Sequence, residues 1–104
     1  MLADRHVKIV GTIGPATQSP DMLEKLIRAG LNVARLNFSH GSHKDHLQVI
    51  QSIRKISSDL NAPVSLLQDL QGPKIRVGKL EGDQVELAPG DVINISPDVP
   101  LGNS

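Results

Sequence analysis

With 11 Lys+Arg against 11 Asp+Glu, the 104-residue chain carries no formal net charge, which argues against nucleic acid as the main partner. Its apolar fraction is 38%, in short runs only, which excludes a membrane-spanning helix of roughly 20 apolar residues. The absence of cysteine excludes a disulfide framework, a thiolate nucleophile and a cysteine metal site, and a charged start at Asp4, Arg5 and Lys8 without a signal-type apolar stretch points to the cytoplasm.

The run HVKIVGTIG at 6–14 is β-branched and ends at glycines and Pro15, which predicts a strand and a turn. Ser19-Pro20-Asp21 supplies a capping hydroxyl, a proline suited to the first helical position and an acid where the helix dipole favours one. Met22, Leu23, Leu26 and Ile27 recur at helical spacing, and Ala29-Gly30 predicts a left-handed stop. A second extended run, LNVARLNFS at 31–39, precedes Ser42-His43-Lys44-Asp45, which has the spacing of a capping box. The longer helix opened there carries Val49, Ile50, Ile53, Ile56 and Leu60 as its apolar stripe and ends at Asn61-Ala62-Pro63. Residues 64–68 give a third strand. Strands alternating with helices predict βαβαβ units, right-handed crossovers and a parallel sheet.

Beyond Asp69 the texture changes. Gly72-Pro73, Gly78, Gly82 and Pro89-Gly90 separate short alternating runs at 74–77, 84–87 and 92–96, which predict antiparallel strands. Pro89-Gly90 suits a type II turn, with Val85 and Leu87 pairing Val92, Ile93 and Ile95 across a hairpin. Residues 97–104 lack an apolar period and predict a frayed end. Two domains follow: 1–71, with three strands and two helices, and 72–104, the β-rich start of a second.

Side chains alternate along a strand, so Val33, Arg35, Asn37 and Ser39 share one face and Ala34, Leu36 and Phe38 the other. Arg35, Asn37 and Ser39 lie toward the strand's carboxyl end, where open α/β sheets and barrels bind ligands, and they suit a phosphate or carboxylate; a solvated strand face is the competing reading. Asp69 ends the third strand, and either completes an oxygen-rich cation site with Asn37 and Ser39 or caps a turn. Lys74 and Arg76, two apart, point to one strand face near Asp69, or simply to solvent. His43 and His46 share one side of the second helix but lack a zinc-motif partner, so exposed histidines are the simpler reading. Gly11-Thr12-Ile13-Gly14 matches no phosphate-loop pattern, and its glycines read as turn formers.

Taken together, KIVGTIGPAT at 8–17, GLNVARLNFSHG at 30–41 and LLQDLQGPKIRVG at 66–78 closely resemble the amino-terminal part of pyruvate kinase, over residues 7–95 and in the family's order. That resemblance implies an α/β fold, the first βαβαβ units of a (β/α)8 barrel followed by the start of a small β-barrel cap. A closed barrel takes about 250 residues, so this chain resembles a segment of one. The activity implied is glycolytic phosphoryl transfer from phosphoenolpyruvate to ADP, giving pyruvate and ATP.

By the matching motifs, Arg35 contacts the transferred phosphoryl group. Asn37, Ser39, Asp69 and the carbonyl of Leu70 match a monovalent-cation site, and His40 and Arg76 match nucleotide-contacting positions. The family's catalytic lysine and magnesium-binding carboxylates have no counterpart here, which implies that the chain alone is inactive and that Mg2+ belongs to the complete enzyme. Many members have Asp-Thr-Lys-Gly-Pro-Glu-Ile-Arg-Thr where this sequence reads DLQGPKIRV. Lys74 thus stands in place of glutamate, as in the potassium-independent branch, so its ammonium is a candidate replacement for K+. The parent is implied to be a cytoplasmic homotetramer binding phosphoenolpyruvate and ADP/ATP, with no nucleic-acid or membrane partner. Two other readings stand beside it: a non-catalytic phosphate-binding half-barrel, and an assembly module that self-associates through open strand edges.

Overall fold

Three short β-branched or aliphatic runs form a parallel sheet in the order β1 (Val10–Ile13), β2 (Val33–Asn37), β3 (Ser65–Asp69). The helices α1 (Pro20–Ala29) and α2 (His43–Asp59) make the crossovers between them. The computed structural model describes residues 5–98 and 100–103; Asp4, Val99 and Ser104, which entered the readings of the two ends, lie outside it. The chain divides into two units, one ending at Gly72 and the other beginning at Pro73.

In the first unit the strands are shorter than the first two extended runs, because side chains and turns intervene at their ends. The Asn32 Oδ1 accepts the Ile9 N–H at 2.8 Å, and the Ile9 carbonyl accepts the N–H groups of Asn32 and Val33. Past β1, the Thr17 N–H closes a turn on the Gly14 carbonyl at 2.9 Å. The helix α1 starts where Ser19 Oγ accepts the Met22 N–H and Pro20 takes a first-turn position. It ends at Gly30, whose φ of 111° lies in the left-handed region and whose N–H donates to the Ile27 carbonyl at 3.0 Å.

A reciprocal capping box opens α2: Ser42 Oγ accepts the Asp45 N–H, and the Asp45 carboxylate accepts the Ser42 N–H. The hydrogen bond from the Ser42 hydroxyl, reinforced by the one from its main-chain N–H, holds the Asp45 carboxyl below its ordinary value of 3.8. At the other end Leu60 caps the helix, and Ser57 Oγ donates to the Ala62 carbonyl at 2.6 Å.

Both helices cover one face of the sheet. Leu23 and Ile27 of α1 and Val49 and Ile53 of α2 join Ile13, Ala34 and Leu36 in a single aliphatic core. The alternation along β2 is strict, with Ala34 and Leu36 buried and Val33, Arg35 and Asn37 half-buried on the opposite face. On that opposite face Val10 is 56% exposed and Leu67 41%.

The second unit departs from the expectation of a β-rich domain. None of the runs at 74–77, 84–87 and 92–96 forms a strand, and the described residues hold only a short 3-10 turn at Glu81–Asp83 and an isolated Leu80–Gly102 bridge. The Pro89-Gly90 turn is present, with the Asp91 N–H donating to the Ala88 carbonyl at 3.1 Å, yet the expected hairpin does not form around it. The physical reason is an unburied apolar face: Ile75, Val77, Val92 and Ile95 are all exposed. A two-stranded ribbon without a surface to cover is marginal in water. Part of the expected frayed end is instead held, since Gly102 donates to the Lys79 carbonyl and accepts from the Glu81 N–H. Among the described residues, no helix is long and apolar enough to cross a membrane.

Candidate functional site

Parallel pairing places Thr12 opposite Arg35, and Asn37 opposite Asp69. Because residues two apart share a face, Thr12, Arg35, Asn37 and Asp69 all stand on the side of the sheet away from the helices, near the carboxyl ends of the strands. Their side chains then meet. Arg35 Nε donates to Asp69 Oδ2 at 3.0 Å, and Nη2 donates to the same oxygen. Arg35 Nη1 donates to Thr12 Oγ1 at 3.0 Å, so one guanidinium ties all three strands.

This arrangement fixes the guanidinium without using it up. An arginine has five N–H donors. The contacts to Asp69 and Thr12 engage one N–H on each of the three nitrogens, leaving one on Nη1 and one on Nη2. Those two N–H groups remain available to an oxygen acceptor. The side chains of Arg35 and Asp69 are 33% and 42% accessible, so the pair is held but reachable.

The strand end continues into a turn built on Asn37. Its Oδ1 accepts the Ser39 N–H at 3.1 Å, its carbonyl accepts the His40 N–H at 3.3 Å, and the Phe38 N–H donates to the Asp69 carbonyl at 3.0 Å. Asn37, Ser39 and Asp69 therefore gather at the tips of β2 and β3, and Leu70 follows, exposed. Arg35 engages Asp69 through Oδ2, and Asn37 Oδ1 is held by the Ser39 N–H. No group of three or more His, Cys, Asp or Glu side chains is gathered among the described residues, so a carboxylate-rich divalent site is not found there.

The remaining candidates divide. His40 and His43 are exposed, whereas His46 is half-buried against Phe38, so the simple picture of free histidines holds for only part of the set. Lys74 and Arg76 belong to the second unit and are exposed. Placing both on one face of a strand is incorrect, because residues 73–78 form none.

Sequence reasoning missed two features. Thr12 fell within the first expected strand, but its place beside Arg35 on the same face was not singled out. The Arg35–Asp69 pair was not foreseen, because it depends on a strand register that spacing along the chain does not fix.

The pyruvate kinase barrel-domain family matches residues 4–104, nearly the whole chain. The chain belongs to the pyruvate kinase family. Pyruvate kinase 2 of Synechocystis sp. is 60% identical over 89 residues, covering 84% of this chain and 15% of that protein. The pyruvate kinase of Sporosarcina psychrophila is 49% identical over 100 residues, covering 96% of this chain and 17% of its own length. A crystal structure of the Cryptosporidium parvum pyruvate kinase superposes with a TM-score of 0.81 at 42% identity, covering 93% of this chain and 21% of that one. The chain thus spans between 15% and 21% of the length of these pyruvate kinases.

Proposed function

We propose that the chain supplies the phosphoryl-binding wall of a pyruvate kinase, which transfers a phosphoryl group from phosphoenolpyruvate to ADP. The observation that carries this reading is the Arg35 guanidinium, braced by Asp69 and Thr12 at the strand ends with two N–H groups free. In the reaction, the bond between phosphorus and the enol oxygen breaks as one forms to a terminal ADP oxygen, and the enolate left behind then gains a proton at carbon to become pyruvate. Arg35 draws charge off the transferred group's oxygens, which is where such reactions gain most.

Asn37, Ser39, Asp69 and Leu70 would hold a monovalent cation beside it, while His40 and Arg76 would meet the nucleotide. In the complete enzyme, residues outside this chain would hold Mg2+, which would supply positive charge to the phosphates. In this reading β1, β2 and β3 are barrel strands, the unit from Pro73 begins the cap, and the parent is a cytoplasmic homotetramer. The exposed apolar residues of the second unit support the cap assignment, since they await a sheet to cover.

The test is a graft of residues 7–95 into the matching segment of the Synechocystis pyruvate kinase 2. We expect pyruvate formation that requires both phosphoenolpyruvate and ADP, and no turnover from the 104-residue chain alone. A folded but inactive graft would overturn the reading. The assembly reading has one observation in its favour, the exposed Val10 and Leu67 on a sheet whose outer strands β1 and β3 each have a single strand neighbour among the described residues. Concentration-dependent mass of the inactive chain would favour it.

Lys74 permits a sharper check. If the ammonium at this position replaces K+, as the potassium-independent pattern of DLQGPKIRV implies, the graft should be active without potassium. Lys74→Glu should make its rate depend on K+, and equal rates of that variant with and without the ion would sink the idea.

A further inference from the structure

We infer that His46, on the first turns of α2, is the positioning residue that clasps the turn at 38–41 and so sets His40 for its nucleotide contact. The inference rests on the function proposed above and adds a residue to it. Three contacts of one imidazole carry it. The His46 Nε2 lies 2.7 Å from the His40 carbonyl oxygen. Its ring stacks on Phe38, with centroids 4.3 Å apart and planes inclined by 18°. It also passes close beneath Gly41, where a Cβ would come within 3.3 Å of Nε2.

A carbonyl can only accept, so Nε2 carries the proton and donates it. The ring is brought to the turn by a rigid support, because the Ser42–Asp45 capping box fixes the start of α2 immediately before it. Gly41 has a φ of 75°, so this residue both permits the turn and leaves room for the ring under it. Arg35, by contrast, is braced by Thr12 and Asp69 rather than by His46. The side-chain braces of the two halves are therefore different, although the Asp69 main chain also holds the turn through the Phe38 N–H. Loss of the clasp should act on nucleotide binding and spare the phosphoryl-binding side.

The experiment compares His46→Phe and His46→Gln with His46 in the graft. The phenyl ring keeps the stack and loses the donor, and we expect KM for ADP to rise about fivefold, the worth of one net hydrogen bond. KM for phosphoenolpyruvate and kcat should stay within about twofold, inside the range left by a distant contact. His46→Gln restores an N–H at similar reach and should recover most of the ADP affinity. An unchanged KM for ADP in His46→Phe, or an equal loss in all three parameters, overturns the inference.

If the graft with His46 intact is inactive, the failure belongs to the functional reading instead. The clasp is then decided on the 104-residue chain by nitrogen-15 NMR of the imidazoles. A proton on Nε2 of neutral His46 supports it, and a proton on Nδ1 overturns it.

Discussion

Arg35→Lys in the active graft is expected to lower kcat/KM for phosphoenolpyruvate by about 10²-fold to 10³-fold, the range seen when one charge-stabilising donor is removed from a reaction site. The substitution keeps the positive charge, so the loss isolates geometry. Arg35 reaches Asp69 through Nε and Nη2, reaches Thr12 through Nη1, and still offers two coplanar N–H groups. A lysine ammonium has three donors radiating from one atom. It can satisfy Asp69, but not the hydroxyl on β1 and two phosphoryl oxygens together. Circular dichroism should be unchanged, because the pair is on the open face of the sheet and outside the core. A drop below threefold would remove Arg35 from the reaction.

The second large effect concerns stability. Ile53→Ala is expected to destabilise the chain by about 2–5 kcal/mol in urea denaturation, the cost of a deleted aliphatic side chain plus the cavity it leaves. Ile53 is 0% exposed and sits in the cluster with Leu23, Ile27 and Leu36, so both helices and the sheet lose contacts at once. Phe38 is the only aromatic residue, and it lies at the margin of the core. No large side chain is therefore at hand to fill the space. Ile56→Ala, three residues on and only partly buried, should cost well under half as much. Equal losses for the two would mean that Ile53 does not occupy the centre of the core.

The helices were the most legible part of the sequence. Ser19-Pro20, Gly30 and the Ser42–Asp45 box carry their information locally, within four residues of the groups they satisfy, and each sits in the structure where its chemistry requires. The alternation in VARLN was equally direct, because a period of two assigns each side chain to a face. What spacing could not supply was the lateral register between strands. The guanidinium of Arg35 meets Asp69 and Thr12 because β2 pairs with β1 and β3 at particular residues, and those pairings are set by the packing of α1 and α2 beneath them.

The runs after Gly72 failed for the opposite reason. Their pattern is that of strands, and the Pro89-Gly90 turn formed from local chemistry alone. Pairing needs more than pattern. Strand preference expresses itself against a neighbouring surface, and Ile75, Val77, Val92 and Ile95 have none to meet. The stack of His46 on Phe38 was likewise hidden, since the two are eight positions apart across a turn, a helix start and a change of element. A histidine four places into a helix, facing back toward an aromatic at the preceding strand end, is the signal that would have found it.

The Arg35–Asp69 pair has a further consequence for how a ligand arrives. Opposite unit charges held by hydrogen bonds form a local dipole, on a chain whose formal charge is zero. A dipole's field decays faster than that of a lone charge, and at physiological ionic strength it is screened within about 8 Å. An anionic substrate is thus not drawn in from a distance by this wall. Its association rate through these residues should be nearly insensitive to ionic strength, and selection happens at contact, where the two free N–H groups meet oxygens of the right spacing.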